Sequence, residues 1–115
     1  MINYGHATAS SASSGTVWCV NNAWRALQVG TTPYTGRKWL KLQVKGSPAL
    51  AVQFVNKNSS GTFTTPTDTV ARHIIYPANS VVVEAIGDGV TVFGRAVGKA
   101  GVTVTGARVA VVELK

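Results

Sequence analysis

The stretch Arg37–Lys45, RKWLKLQVK, alternates apolar and polar side chains with a period of two. In an extended strand this spacing places Leu40, Leu42 and Val44 on one face. The opposite face carries Arg37, Trp39, Lys41, Gln43 and Lys45. A strand with one apolar and one polar face is typical of a sheet that packs on a core, so this stretch favours a β fold.

The rest of the chain from Val17 onward repeats the pattern of short apolar runs separated by turn sequences rich in Gly, Pro, Asn and Asp. We predict nine strands, at Val17–Val20, Trp24–Val29, Arg37–Lys45, Leu50–Asn56, Val70–Tyr76, Ser80–Ile86, Val90–Val97, Gly101–Thr105 and Arg108–Leu114. This many short strands in so short a chain predicts an all-β, two-sheet β-sandwich, either jelly-roll or immunoglobulin-like.

Length and composition indicate one domain. The chain has 115 residues, of which 45% are hydrophobic, and this is enough for a single core. Residues 1–16, MINYGHATASSASSGT, bury little apolar surface, so we expect an extended N-terminal arm before a sandwich domain at 17–115. The segment lacks the basic and apolar regions of a secretory signal, and no apolar run approaches the ~18 residues of a membrane span. We therefore expect no membrane partner.

The formal net charge is +7, from eleven Lys and Arg against four Asp and Glu. Such a balance predicts an anionic partner, which an acidic protein surface, a nucleic acid or an anionic membrane would satisfy equally. The single cysteine, Cys19, excludes an intrachain disulfide, and its apolar neighbours predict a small buried side chain.

The His, Asp and Glu residues are few and scattered, at His6, Asp68, His73, Glu84, Asp88 and Glu113. Catalysis needs such groups in contact with one another, so we do not expect an enzyme. A structural zinc site needs four Cys or His ligands and the chain has three such residues, so we expect neither a metal nor a cofactor. Glu84 lies within the apolar run SVVVEAI, and a buried carboxylate needs a partner. We expect a buried ion pair with Arg95, with Arg72 as the alternative.

The polar face of the Arg37–Lys45 stretch is the candidate partner-binding site, with Arg37, Trp39, Lys41 and Lys45 as its residues. Its cations could be a solvated face that prevents pairing of sheet edges, or the rim of a protein interface anchored by Trp39. A single-stranded nucleic-acid platform would use the same residues but normally presents more aromatic rings. A carbohydrate-binding sandwich is a further alternative, for which the candidate platforms are Trp18, Trp24 and Trp39.

Five stretches of the chain resemble the head decoration (cement) proteins and related small β-rich virion proteins of tailed bacteriophages. They are Trp24-Arg25, Arg37–Val44 (RKWLKLQV), Ala51–Asn56 (AVQFVN), Ile75–Glu84 (IYPANSVVVE) and Ala110–Leu114 (AVVEL).

The resemblance implies a non-enzymatic β-sandwich or jelly-roll protein that binds the capsid exterior and stabilises the shell. The implied partners are the major capsid protein lattice and further copies of the chain, with a trimer favoured over a dimer and the N-terminal arm bridging to a neighbouring subunit. The family has no catalytic site, so no functional residue is transferred. A tail, baseplate or fibre-adaptor component is the alternative within virions, and a single-stranded nucleic-acid-binding module is the alternative from another class.

Overall fold

The computed structural model describes residues 11–45, 49–67, 74–97 and 106–115. Within these residues it contains strands and no helix. The strands are β1 Ala12–Val20, β2 Arg25–Ala26, β3 Trp39–Lys45, β4 Ala49–Asn56, β5 Ile74–Tyr76, β6 Val81–Glu84, β7 Val90–Val97 and β8 Gly106–Leu114. The prediction of an all-β fold is confirmed.

The eight strands form two antiparallel four-stranded sheets, with orders β1-β8-β3-β6 and β2-β7-β4-β5. Strands pair as β1 with β8, β2 with β7, β3 with β6 and β4 with β5, which is the pattern of one long hairpin folded over on itself. The pairs β3 with β8 and β4 with β7 then join neighbouring parts of that hairpin into the two sheets. This is a jelly roll, so the predicted two-sheet β-sandwich is confirmed and the jelly-roll alternative is the one that the strand order matches.

The main core lies between the two sheets. Leu40, Leu42 and Val44 of β3 are fully buried there, as the alternation of the stretch predicts. Strand β8 contributes its alternate residues Ala107, Val109 and Val111, whose side chains face the same core. Burying a side chain of this size stabilises the fold by roughly 1.5–3 kcal/mol, so these rows set the orientation of the whole sheet.

The second sheet is covered on its outward side as well. Trp24, Ala51 and Phe93 form a separate cluster there, and Phe63 packs against it from the segment that follows β4. On the inner side of β7, a Cβ atom at Gly94 would stand 3.2 Å from the side chains of both Leu27 and Leu50, so glycine leaves room for these two core leucines of the same sheet. Loop residues therefore cover the outward side of the sheet β2-β7-β4-β5, whereas the outward side of β1-β8-β3-β6 is formed by strand residues.

Two expectations about the ends of elements need correction. The arm was predicted to extend to Thr16, but β1 begins at Ala12 and pairs continuously with β8, from Ala12 opposite Leu114 to Thr16 opposite Ala110. Backbone hydrogen bonds to a long partner strand hold a Ser/Gly/Thr segment that has little apolar surface of its own. Residues 1–10 lie outside the described residues, as do the predicted strand Gly101–Thr105 and the first part of Val70–Tyr76.

The predicted strand Trp24–Val29 is reduced to Arg25–Ala26. Leu27 still donates its backbone N–H to Val92 of β7 at 2.7 Å, after which the chain leaves the sheet.

Candidate partner-binding face

The outward side of β1-β8-β3-β6 is a regular surface built by four strands. Directly opposed residues of antiparallel strands share a face, and the inward position of Leu40, Leu42 and Val44 turns their neighbours outward. We call this surface the basic face. Its residues are Ser14, Thr16, Trp18, Trp39, Lys41, Gln43, Lys45, Val81, Val83, Arg108, Ala110 and Val112.

The cations of the basic face have no acidic neighbours among the residues that the structure describes. Lys45 lies directly opposite Arg108, and Lys41 lies between Val112 and Val83. Three acids are described, and each is engaged elsewhere: Glu84 faces the core side opposite Leu40, Asp88 accepts a hydrogen bond from the Gly36 N–H at 2.8 Å, and Glu113 is buried. None of these three acids neutralises the cations of the basic face, so the face carries a net positive charge. A positively charged face attracts an acidic surface.

Two tryptophans mark opposite ends of the basic face. Trp18 of β1 is opposite Arg108, and Trp39 of β3 is opposite Leu114. These partners are six residues apart on β8, which corresponds to about 20 Å along the strand. Trp18 is 50% exposed, and Val81 on the far edge of the sheet is 55% exposed. An exposed tryptophan is a typical anchor of protein interfaces, and the exposed Val81 adds apolar area beside it on the same face.

Small side chains fill the area between the tryptophans. Ser14, Thr16 and Ala110 lie there in adjacent register positions, together with Val112 and Gln43. The result is a flat surface of mixed polarity with cations and aromatic rings at its margins. Its shape suits another flat surface better than a small molecule, because small ligands bind in concave sites.

Of the four predicted partner-binding residues, Trp39, Lys41 and Lys45 lie on the basic face and Arg37 does not. Arg37 is 2% exposed, so the prediction of an outward side chain is wrong. The strand begins only at Trp39. Gly36, which directly precedes Arg37, has a φ of +79°, a turn conformation that glycine adopts readily. The period of two therefore does not extend to Arg37, whose side chain turns inward.

Arg37 forms a buried ion pair with Glu113 of β8. The Arg37 Nη1 atom donates to Glu113 Oε2 at 2.8 Å, and Nη2 donates to the carbonyl oxygens of Gly87 and Val90. Glu113 also accepts the backbone N–H of Val29 on Oε1 at 2.8 Å and that of Tyr34 on Oε2 at 2.9 Å. The pair thus ties the β2–β3 connection and the start of β7 to the last strand.

The predicted ion pair between Glu84 and Arg95 is also wrong. Glu84 accepts a hydrogen bond from the hydroxyl of Tyr76 at 2.9 Å, while the Arg95 Nε atom donates to the carbonyl of Asn21 at 2.9 Å. Strands β6 and β7 belong to different sheets, so adjacency along the chain does not bring the two side chains together. Arg72, the alternative partner, lies outside the described residues.

Burial changes the acidity of two side chains. It raises the pKa of the Cys19 thiol to about 12, against a smaller opposing effect of Arg25. Burial also raises the pKa of Tyr76, reinforced by its hydrogen bond to the Glu84 carboxylate and by the charge of that group. Both side chains are neutral and structural at physiological pH, and the prediction of a buried Cys19 is confirmed.

From the sequence, Glu113 and Arg108 were assigned no role and Trp18 was considered only as a carbohydrate platform, although each position had a usable signal. Glu113 has the same parity as Val109 and Val111 in β8, which predicts an inward carboxylate in need of a cation. Arg108 has the opposite parity and therefore points outward. Trp18 follows from the inward Cys19, since neighbours in a strand face opposite ways.

No protein-family model matches the chain, and no curated protein does either. Within the described ranges, no group of three or more His, Cys, Asp and Glu side chains could hold a metal ion. The same part of the chain contains no helix of the length and apolarity needed to cross a membrane.

Proposed function

We propose that this chain is a capsid decoration protein of a tailed bacteriophage, which docks its basic face on an acidic protein lattice and stabilises it. The observation that carries the proposal is the composition of that face: Lys41, Lys45 and Arg108 without a described acid beside them, and tryptophans at both ends. The resemblance of five stretches to virion proteins supports the choice of a phage head as the lattice.

The mechanism is binding linkage. A protein that binds the assembled lattice and not its separated subunits stabilises the assembly by RT ln(1 + [L]/Kd), about 2.7 kcal/mol when its free concentration is a hundred times Kd. Trp18 and Trp39 would provide desolvated anchor contacts, while the cations would speed and orient the encounter. No chemical step is required of any residue. The partners are the major capsid protein and further copies of this chain, with a trimer favoured.

The spacing of the tryptophans supports this proposal over single-stranded nucleic-acid binding. Neighbouring bases need aromatic platforms placed close together, whereas Trp18 and Trp39 are about 20 Å apart along the strands. The separation suits two anchors of one extended protein interface. An oligonucleotide titration checks the point, since a nucleic-acid module would show tryptophan quenching and an affinity that falls steeply with salt.

The test is binding of the purified protein to capsids that lack it, with capsid melting as a second readout. Reversing two charges of the basic face, Lys41→Glu together with Lys45→Glu, should weaken binding by about tenfold or more. The control is Lys57→Glu, which lies on the other side of the sandwich and should bind as the wild type does. Equal binding by all three proteins would refute the docking surface, and absence of wild-type binding to capsids would refute the function.

The location within the virion is a separate measurement. Labelled protein spread over the heads of intact particles supports the decoration role. Label confined to the tail or baseplate would replace it with the alternative of a tail or fibre-adaptor component, which could use the same face.

A further inference from the structure

A cleft of about 570 Å³ lies on the outward side of β2 and β7, across the sandwich from the basic face. Its floor includes Ala26 and Phe93, which belong to the outward cluster of the second sheet. One wall is the β2–β3 connection, and the other is the segment after β4 that carries Phe63. The volume is in the range typical of small-molecule sites.

The base of the cleft holds two polar side chains that loops and strands largely shield from solvent. Gln28 is 7% exposed and Thr91 is 1% exposed, and the Thr91 hydroxyl donates to Gln28 Oε1 at 3.3 Å. Gln28 and Thr91 therefore give the base of the cleft a polar character. Asp88 also lines the cleft and uses one carboxylate oxygen, Oδ2, to accept the Gly36 N–H.

Both walls are held in place by the protein itself. Glu113 binds the backbone N–H groups of Val29 and Tyr34, on either side of the wall residues 31–33. In the opposite wall, Asn58 Oδ1 accepts the backbone N–H groups of Ser60 and Thr62, each at 3.0 Å. A site whose walls are formed before binding loses less conformational entropy when a ligand enters.

The chemistry of the lining selects the class of ligand. Lys57 and Asp88 have opposite charges, so the lining lacks the concentration of cations that a phosphate group requires. Its six threonine hydroxyl groups and the amide of Gln28 are equally unsuited to a purely apolar ligand such as a fatty acid. The hydroxyl groups belong to Thr31, Thr32, Thr35, Thr62, Thr65 and Thr91.

We propose that this cleft binds a neutral saccharide, whose apolar C–H face packs on Phe63 and whose hydroxyl groups bond to Gln28, Asp88 and the threonines. Phe63 is partly exposed in the wall, and the ammonium group of Lys57 lies 5.8 Å from its ring centroid. None of the three tryptophans is among the cleft residues: Trp24 is buried, while Trp18 and Trp39 lie on the basic face. The inference is independent of the proposed capsid role.

The experiment is saturation-transfer NMR of the full chain with glucose, galactose, mannose, N-acetylglucosamine and their β-linked disaccharides. At least one sugar should receive saturation with millimolar affinity, and Phe63→Ala should weaken its binding by about tenfold. Phe54→Ala is the matched control, because Phe54 is also a partly exposed phenylalanine (38%) but does not line the cleft. Its affinity should equal that of the wild type.

Amide shift mapping of the wild-type protein keeps the proposal testable even if Phe63→Ala does not fold. Shifts induced by the sugar should concentrate at residues 31–35 and 62–65. Absence of saturation transfer to every sugar, shifts confined to the basic face, or equal weakening by the two phenylalanine variants would each overturn the proposal.

Discussion

Neutralising Glu113 tests whether the buried ion pair organises one end of the sandwich. The carboxylate accepts three hydrogen bonds, from the backbone N–H groups of Val29 and Tyr34 and from Arg37 Nη1. In Glu113→Gln one oxygen becomes an NH2 group, which must face at least one of these donors. An unsatisfied buried donor costs about 1–3 kcal/mol. The buried Arg37 charge, left without its carboxylate, adds a further cost, so the free energy of unfolding should fall by about 3–5 kcal/mol.

The reverse variant should cost less. In Arg37→Met the carboxylate keeps its two backbone N–H donors, and charge-assisted bonds of this type are the stronger ones. We expect a loss of about 3 kcal/mol, at the lower end of the range for removing one partner of a buried pair. The double variant Arg37→Met/Glu113→Gln buries no charge, so its cost should be smaller than the sum of the single costs by at least about 2 kcal/mol.

Urea denaturation followed by tryptophan fluorescence measures these losses, since Trp24 is only 4% exposed in the folded state. Glu84→Gln is the matched control. Its carboxylate is partly buried and accepts the Tyr76 hydroxyl, a bond that an amide oxygen can replace, so the expected cost is below about 1 kcal/mol. Additive costs in the double variant, or equal costs for Glu84→Gln and Glu113→Gln, would refute the reasoning, given unchanged m-values.

Three further predictions concern packing, acidity and exposure. Gly106→Ala should destabilise the fold by about 1–3 kcal/mol in thermal unfolding, because the new Cβ would lie 2.6 Å from the Trp18 ring and 2.7 Å from the Cys19 carbonyl oxygen. The control is Gly89→Ala, whose Cβ would have no neighbour within 4 Å and which should leave the stability unchanged. Burial of Cys19 raises its thiol pKa from 9.0 to about 12, so the unfolded state ionises first and this thiol should lower stability by about 1.4 kcal/mol per pH unit between these values. In urea titrations the fall should be shallower by this amount in Cys19→Ala, while Tyr76, whose pKa burial also raises, still contributes. Iodide should quench Trp18 strongly and Trp24 little, so Trp18→Phe should remove a large part of the quenching; unchanged quenching would contradict the exposed position of Trp18.

Local alternation was the most informative part of the sequence. It correctly oriented Leu40, Leu42 and Val44, because a side chain in the middle of a regular strand has two choices of face and the core selects one. The same rule failed at Arg37, which precedes the strand and follows a turn with positive φ at Gly36. Periodicity carries no information beyond the residue at which regular structure ends.

Contacts between distant strands were the part that the sequence did not reveal. Trp18 joins Lys45 on one face because both are opposite Arg108, and this depends on the register of β1 and β3 against β8. Register over such separations is set by the whole core rather than by local residue preferences. The pairing of Glu84 was mispredicted for the same reason, since the partner depends on which sheet each strand joins.

The jelly-roll order separates two kinds of surface. Strand residues in register form the basic face, so it is flat, and flat surfaces suit extended protein interfaces. Loops cover the outward side of the other sheet, and this makes the cleft concave and suited to a small ligand. The two surfaces lie on opposite sides of the sandwich, so a chain docked on a lattice through its basic face would present the cleft to the surroundings. The proposed lattice docking and the proposed sugar binding are therefore compatible in one small domain, because they use surfaces on opposite sides of the sandwich.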